Sequence, residues 1–216
     1  MRKRACVIVL GGLSAAAVLA GCNLIGAGIY LVEGPATIDA RYELPKERPT
    51  IVFVDDRGNR LPRRVLRQSI AETAQSALLN KGVVKDAIDT RAVLAAAARE
   101  TAAEPMDMVS LAKAAQAEIL IYVTVDSFTL SPDGSTYSPQ AAVRVKVVDA
   151  TKDEPRLWPP EYEGFPMTVT MSERAGDLPR SPAELLRAQD AFAAVLGESI
   201  AELFYEHPAK KPVSAR

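Results

Sequence analysis

The stretch Glu118–Leu130 reads EILIYVTVDSFTL, and it is the strongest strand signal in the chain. Apolar and β-branched residues run through it without a helix breaker. Because successive side chains of a strand point to opposite faces, odd-numbered residues from Ile119 to Val125 share one face. Leu120, Tyr122 and Asp126 belong to the other face. We therefore predict a long strand here and build the fold outward from it.

Three more segments carry strand patterns. Ile51–Val54 is apolar on both faces, as in a central strand covered on both sides, and a polar turn follows it. Ala141–Val148 alternates one apolar face with one wetter face, and Phe165–Met171 repeats this alternation. With Glu118–Leu130, these last two predict an antiparallel meander whose one face is partly open to water. Val83–Ile88 is compatible with a further short strand.

Helical periodicity occupies the segments between these strands. Apolar residues recur at helical spacing from Val65 to Leu78, and Asp89 or Thr90 and then Asp107 can cap two further helices. Ser181 with Glu184 forms a capping box, which opens the longest predicted helix. The predicted fold class is therefore α/β (α+β), a two-layer sandwich with a mixed sheet, helices mainly on one face and a long C-terminal helix.

The N-terminal residues have the parts of an export signal. Three positive charges precede a short apolar run, which ends at Leu19–Cys22, LAGC. This ending resembles the lipobox of bacterial lipoproteins, which implies cleavage between Gly21 and Cys22 and attachment of diacylglycerol to Cys22. A membrane-spanning helix is the weaker alternative, because the run is shorter than the roughly 20 apolar residues that a span needs.

These patterns divide the chain into four parts. Residues 1–21 are the predicted signal peptide, 22–49 a lipidated and proline-containing tether, 50–206 the α/β domain, and 207–216 a disordered tail. The formal net charge of −1 gives no electrostatic case for nucleic acid. Cys6 leaves with the signal and Cys22 would be acylated, so we expect packing rather than disulfides to stabilise the domain.

A family resemblance rests on Leu111–Val123, LAKAAQAEILIYV, in which a helix leads directly into a strand. Together with the lipobox, the first strand and the long helix, it resembles the domain shared by the curli secretion lipoprotein CsgG, the penicillin-binding-protein activator LpoB and the TolB N-terminal domain. Where that family usually has Gly-Ala-Asp, this chain has Gln116-Ala117-Glu118. The resemblance covers Thr50–Glu206 and implies a place near secretion or cell-wall machinery. The pore function of CsgG is not implied, because long amphipathic β segments are absent from the sequence.

Few residues suit catalysis. His207 is the single histidine and falls in the predicted tail, so we expect no histidine-based catalysis, no metal site and no cofactor. Asp55-Asp56 follows the first strand, where receiver domains bind magnesium, but a polar exit from strand to turn explains the pair more simply. Asp126, Arg144 and Lys146 can share the polar face of the meander, either as a partner-binding patch or as surface ion pairs.

The connection between the last two strands carries the predicted partner-binding residues Trp158, Tyr162 and Phe165. It contains the single tryptophan and four prolines, which stiffen a loop and reduce the entropy lost on docking. The first interpretation is a recognition arm for an envelope protein. In the second, Trp158 folds back over the sheet edge or the end of the final helix.

From these observations we expect a non-enzymatic adaptor or assembly factor, attached to the lipid bilayer through acylated Cys22. The resemblance to Gram-negative lipoproteins implies that Asn23 after the cysteine favours the outer membrane, with the domain facing the periplasm. The alternative is a small-ligand or glycan-binding module that uses the meander face. A hydrolase with paired carboxylates, drawn from Asp55, Asp126, Asp149 and Glu161, is the third possibility.

The lipid anchor gives the first testable prediction. In cells grown with labelled palmitate, the protein should become labelled, because the acylated cysteine carries fatty chains. Mass spectrometry should find the mature chain beginning at a modified Cys22. A free thiol at Cys22, or a protein without label, would contradict the anchor.

Overall fold

The structure is a computed structural model that describes residues 36–98, 106–171 and 178–209. The predicted signal peptide and the lipidation site at Gly21 and Cys22 lie outside these residues. The described chain falls into two compact units. The larger unit runs from Asp39 to Glu206, and the smaller contains residues 36–38 and 207–209 of the described chain.

Strands and helices are numbered in chain order. The smaller unit contains β1 (Thr37–Ile38) and β7 (His207–Pro208). The elements of the larger unit are β2 (Thr50–Asp55), α1 (Val65–Asn80), α2 (Thr90–Ala97), α3 (Met108–Ala114), β3 (Ile119–Thr129), β4 (Gln140–Asp149), β5 (Arg156–Trp158), β6 (Phe165–Thr170), α4 (Pro182–Ala201) and a 3-10 turn (Glu202–Phe204).

The smaller unit changes one prediction about the tail. β1 and β7 pair antiparallel, and the amide of Ala209 donates a hydrogen bond of 2.7 Å to the Ala36 carbonyl. His207, predicted as part of a disordered tail, is thus partly buried in a strand. Pairing with a segment far away in sequence supplies order that the tail composition does not reveal.

The five-stranded sheet confirms the predicted fold class. β2 pairs parallel with β3, and β3 pairs antiparallel with β4. β6 pairs with one half of the remaining edge of β4, and β5 pairs with the other half. The predicted meander of three antiparallel strands is therefore present, with a mixed sheet around it.

Helices cover the sheet unequally on its two faces. The long helices α1 and α4 pack on one face, against Val52, Val54 and the inward residues of β3 and β4. The short helices α2 and α3 pack on the other face, against Ile51 and Phe53. The predicted two-layer sandwich places helices mainly on one face and so accounts for α1 and α4. It does not place α2 and α3 on the opposite face, because the side chains of an alanine-rich helix do not indicate which face of a sheet the helix covers. All six residues of β2 are consequently buried.

α1 and α4 approach each other closely at one point. A Cβ added to Gly197 would lie 2.6 Å from the Ile70 carbonyl oxygen, so the backbones meet there without an intervening side chain.

The first turn of α4 is more exposed than its sequence pattern predicts. Leu185 and Leu186, predicted as part of its apolar stripe, are 42% and 43% exposed.

Side chains protect the free edge of β2. Gln75 of α1 accepts a hydrogen bond from the Val52 amide, and the Arg67 side chain donates to the Val54 carbonyl, both at 2.9 Å. The further short strand predicted at Val83–Ile88 does not form. In this segment Ala87 instead makes an isolated bridge with Thr50 at the start of β2. The edge is thereby closed to further strand pairing.

The predicted helix caps are present. The side chains of Asp89 and Asp107 accept hydrogen bonds from the backbone of the helices they precede. Ser181 and Glu184 form the reciprocal capping box at the start of α4. Each cap satisfies amides that a helix N-terminus would otherwise leave unpaired.

The larger unit begins earlier than the predicted tether allows. Leu44 is 5% exposed and belongs to the core, and the Arg41 amide donates to the Leu203 carbonyl at 2.7 Å. Residues 39–49 therefore belong to the folded domain, although prolines make this stretch look like a linker in the sequence. This segment includes Arg48, which bonds to residues at the ends of other strands.

Arg48 holds the ends of three strands together. It donates two side-chain hydrogen bonds to Asp149 at the end of β4 and one of 2.6 Å to Glu118, just before β3. Asp149 is completely buried and also accepts the amide and hydroxyl of Thr151. The hydrogen bonds from Arg48 hold the pKa of Asp149 well below its usual range. A buried carboxylate is tolerated only with such partners.

Replacing Asp149 tests this ion pair. We expect Asp149→Asn to lower the free energy of unfolding at pH 7 by about 3 kcal/mol, because Arg48 loses its buried partner. Since folding lowers the pKa of Asp149, its contribution is complete above the unfolded-state pKa of about 4 and declines as the pH falls toward the folded-state value. The variant should therefore approach the wild type in stability as the pH falls below about 4.

Urea denaturation between pH 7 and pH 2 measures both effects. Asp153→Asn in the adjacent turn is the matched control, because Asp153 is exposed and should change stability by less than about 0.5 kcal/mol. Equal stability of the Asp149 variant and the wild type at pH 7 would contradict the role of this ion pair.

Candidate functional site

The predicted recognition arm divides into a part that packs on the domain and a part that projects from it. Trp158 lies in β5, opposite Val147 of β4, and is partly buried. Its ring centroid lies 4.9 Å from that of Phe165 and 6.0 Å from that of Phe204, at the end of the last helix. Trp158 thus occupies the position that the second interpretation gave it, and Phe165, predicted as a partner-binding residue, packs against its ring.

Tyr162 projects from the same connection and is 75% exposed. Two cations lie against its ring: Lys146 Nζ is 5.1 Å and Arg156 Cζ is 4.9 Å from the ring centroid. Cation–π contacts at exposed sites contribute about 0.5–1 kcal/mol each, which is enough to favour one orientation of the ring. Tyr162 is therefore an exposed aromatic side chain held in place from the sheet.

Gly164 lets the connection lie close to β4. Its φ of +96° is a conformation that other residues rarely adopt. A Cβ at this position would lie 3.1 Å from Lys146 Cγ and 3.2 Å from the Val145 carbonyl oxygen. The missing side chain therefore allows the loop to cover the stem of Lys146. Burial, followed by the charge of Arg156, lowers the pKa of Lys146.

An ion-pair network lies next to Lys146 on the same face of the meander. Arg144 donates to both carboxylate oxygens of Asp126, at 2.7 and 2.9 Å, and to Glu163 at 2.9 Å. The hydrogen bonds to Asp126 raise the pKa of Arg144. Strand alternation predicts Asp126, Arg144 and Lys146 on one polar face, and the structure brings the first two together. Arg156 and Glu163 could not be predicted in this way, because their approach depends on how the loop folds back.

We call these six residues the Tyr162 surface: Asp126, Arg144, Lys146, Arg156, Tyr162 and Glu163. It combines three cations, two carboxylates and one exposed aromatic ring. Tyrosine and arginine are enriched at protein interfaces, since they offer large contact areas and several hydrogen-bond donors. The arrangement suits recognition of a partner surface.

Asp55 and Asp56 are used by the turn that follows β2. Asp55 accepts hydrogen bonds from the Arg57 amide and from the Tyr122 hydroxyl, the latter at 2.5 Å. Asp56 accepts the amides of Arg60 and Leu61 at 2.6 and 3.1 Å. Within residues 36–98, 106–171 and 178–209, His, Cys, Asp and Glu form no group of three that could hold a metal ion. These bonds fit the interpretation of a polar exit from the strand.

The role of Gly164 can be tested by substitution. Gly164→Ala should destabilise the domain by about 2–3 kcal/mol, because it combines an unfavourable φ with contacts that force Lys146 to move. Gly134→Ala is the matched control: Gly134 also has a positive φ, +71°, but a Cβ there meets nothing within 4 Å. In thermal or urea unfolding, the wild type should be more stable than the Gly134 variant, and the Gly164 variant should be the least stable of the three. Equal losses for the two variants would contradict the close approach.

Comparison with known proteins gives distant structural similarities. No protein-family model matches the chain, and no curated protein matches its sequence. Within the part of the chain that the structure describes, no helix is long and apolar enough to cross a membrane. Solved structures that this chain resembles include a lipoprotein of Neisseria meningitidis, GNA1162, at 10% identity and a TM-score of 0.40. That similarity covers 70% of this chain and 98% of the other.

Two further solved structures are similar at the same level. The hypothetical protein CT253 of Chlamydia trachomatis is 18% identical, with a TM-score of 0.40, over 73% of this chain and 98% of that protein. The PelC dodecamer of Paraburkholderia phytofirmans is 12% identical, with a TM-score of 0.35, over 79% of this chain and 97% of PelC. The structural neighbours thus include bacterial lipoproteins.

Proposed function

We propose that this protein is a lipid-anchored component of the bacterial cell envelope that acts as a non-enzymatic adaptor or assembly factor. The anchor is acylated Cys22, which the LAGC sequence supports. The contact site is the Tyr162 surface. The single observation that carries the proposal is an aromatic side chain that is 75% exposed and yet held by two cations.

A side chain that becomes ordered on binding loses conformational entropy. Immobilising a side chain at an interface costs about 0.5–1.5 kcal/mol, and this cost is lower when the free protein already holds the ring in place. Lys146 and Arg156 restrict Tyr162 before a partner arrives. Burying its ring would then contribute apolar contact area, and the phenol would keep a hydrogen-bonding group.

The charges indicate the chemistry of the partner. Arg144 is paired with Asp126 and Glu163, whereas Lys146 and Arg156 lie against the Tyr162 ring. Cations that stack on a ring keep N–H donors available for a second contact. We therefore propose a protein partner that presents carboxylates beside an apolar pocket for Tyr162.

The location of this partner is part of the proposal. Asn23 after the lipidated cysteine supports the outer membrane, with the domain in the periplasm. The resemblance to CsgG, LpoB and the TolB N-terminal domain supports a role near secretion or cell-wall machinery. A partner held in the same envelope layer would meet the domain at high local concentration, so modest affinity would be sufficient.

Site-specific photo-cross-linking tests the adaptor function. A photoreactive phenylalanine analogue at position 162, in cells that produce the full lipidated chain, should give a discrete cross-linked envelope protein. The same analogue at position 198 is the matched control, because Glu198 is exposed on α4, on the opposite face of the sheet. It should not give that product.

Substitutions then separate the ring from the hydroxyl group. With the cross-linker at the neighbouring exposed position 161, Tyr162→Ala should reduce the product at least about tenfold, as for an interface residue worth more than 1 kcal/mol. Tyr162→Phe should retain most of it, since the ring and its cation contacts remain. Products of equal amount from positions 162 and 198, or no effect of Tyr162→Ala, would overturn the proposed contact site.

A further inference from the structure

A second candidate site lies at the carboxyl end of β2. A cavity of about 340 Å³ opens there, between the turn after β2, the start of α1 and the end of α2. We call it the arginine cavity, after the lining residues Arg57, Arg64 and Arg67. Pockets for small ligands begin at about this volume, and α/β sheets commonly bind them beyond the carboxyl ends of their strands.

The two carboxylates of this cavity are already bonded. Asp55 and Asp56 line it, but their oxygens accept the four hydrogen bonds from the turn and from Tyr122 described above. Arg57 additionally lies 3.7 Å from an oxygen of Asp55. The acidic pair therefore shapes the wall of the cavity. Among the described lining residues, three arginines against two aspartates leave an excess positive charge.

Arg64 and Arg67 supply the donors. The Nε of Arg67 donates to the Val54 carbonyl, and its guanidinium lies 5.3 Å from the centroid of the Phe53 ring, so the group is fixed while its terminal nitrogens keep further donors. The side chain of Arg64 is exposed and makes no hydrogen bond or ion pair with another described residue, although its backbone carbonyl accepts the Arg67 amide. An anion in the cavity would give Arg64 a partner.

The start of α1 adds to the positive potential. Arg64 is the N-cap of this 16-residue helix and provides no side-chain cap. The first amides of a helix carry partial positive charge and attract anions. The helix terminus and the arginine side chains thus favour the same sign of ligand.

Part of the lining is apolar. Leu94 and Ala97 of α2 line the cavity together with Phe53, over whose ring the Arg67 guanidinium lies. Inorganic phosphate alone would leave these apolar side chains uncovered. A ligand that bears an aromatic or aliphatic body behind its charged head would contact both the arginines and the apolar lining.

We infer that the arginine cavity binds a small organic anion, with a phosphate or carboxylate head between Arg64 and Arg67 and an apolar body against Phe53 and Leu94. This site is separate from the Tyr162 surface. It gives the domain a ligand-binding function in addition to the proposed adaptor function.

Binding of 1-naphthyl phosphate tests the inference. The full lipidated chain in lipid nanodiscs should bind one equivalent saturably by isothermal titration calorimetry, and 1-naphthoate should compete, whereas empty nanodiscs should give no saturable signal. Arg64→Gln should weaken binding about tenfold, the effect of losing one charge-assisted hydrogen bond. Because the Arg64 side chain has no described partner, this variant should fold as the wild type does.

The controls isolate charge and position. Arg60→Gln removes the same charge from the same loop, but Arg60 does not line the cavity, so this variant should bind as the wild type does. The uncharged 1-naphthalenemethanol should bind more weakly and be insensitive to Arg64→Gln. Tyr162→Ala should leave naphthyl phosphate binding unchanged, which separates this inference from the adaptor proposal. Unsaturable binding of 1-naphthyl phosphate, or equal affinities of the wild type and the Arg64 variant, would overturn the inference that the arginine cavity binds an anion.

Discussion

The buried ion pair between Arg48 and Asp149 is the interaction on which the sheet depends. The two residues are 101 positions apart, and Arg48 also reaches Glu118 at the start of β3. A completely buried carboxylate is costly unless its oxygens are satisfied, so the pair tolerates few other arrangements of these chain segments. It therefore helps to specify where β2 enters the sheet and where β4 leaves it.

Unequal coverage of the sheet decides where binding surfaces can form. At the β2 side, helices cover both faces, and the strand is wholly buried. Along β4, the second face is covered by the short helices only near Val148, and the residues before it, Arg144 and Lys146 among them, are only partly buried. The connection from β4 to β6 folds over this open face and presents Tyr162. The arginine cavity, in contrast, lies where the short helix α2 ends beside the start of α1 and the turn after β2.

Part of each candidate site could be predicted from the sequence. Alternation along β4 placed Arg144 and Lys146 on a polar face, and composition singled out the loop with Trp158 and Tyr162. Composition did not distinguish which aromatic residue is exposed. Trp158 packs beside Phe204, which follows it by 46 positions, and only this packing leaves Tyr162 as the exposed ring. No sequence pattern singles out Arg64 and Arg67, because the cavity that they share forms only where Leu94 and Phe53 meet them in the fold.

The sequence by itself determined the elements with local causes: alternating strands, periodic helices, and the caps at Asp89, Asp107 and Ser181. These signals depend on residues within a few positions of one another, so they can be recognised without the fold. Tertiary structure alone decided the face that each helix covers, the start of the domain before Thr50, the contacts of Arg48 and Tyr162, and the position of Arg64 beside a cavity. Those outcomes depend on atoms brought together from distant segments, and local pattern carries little information about such contacts.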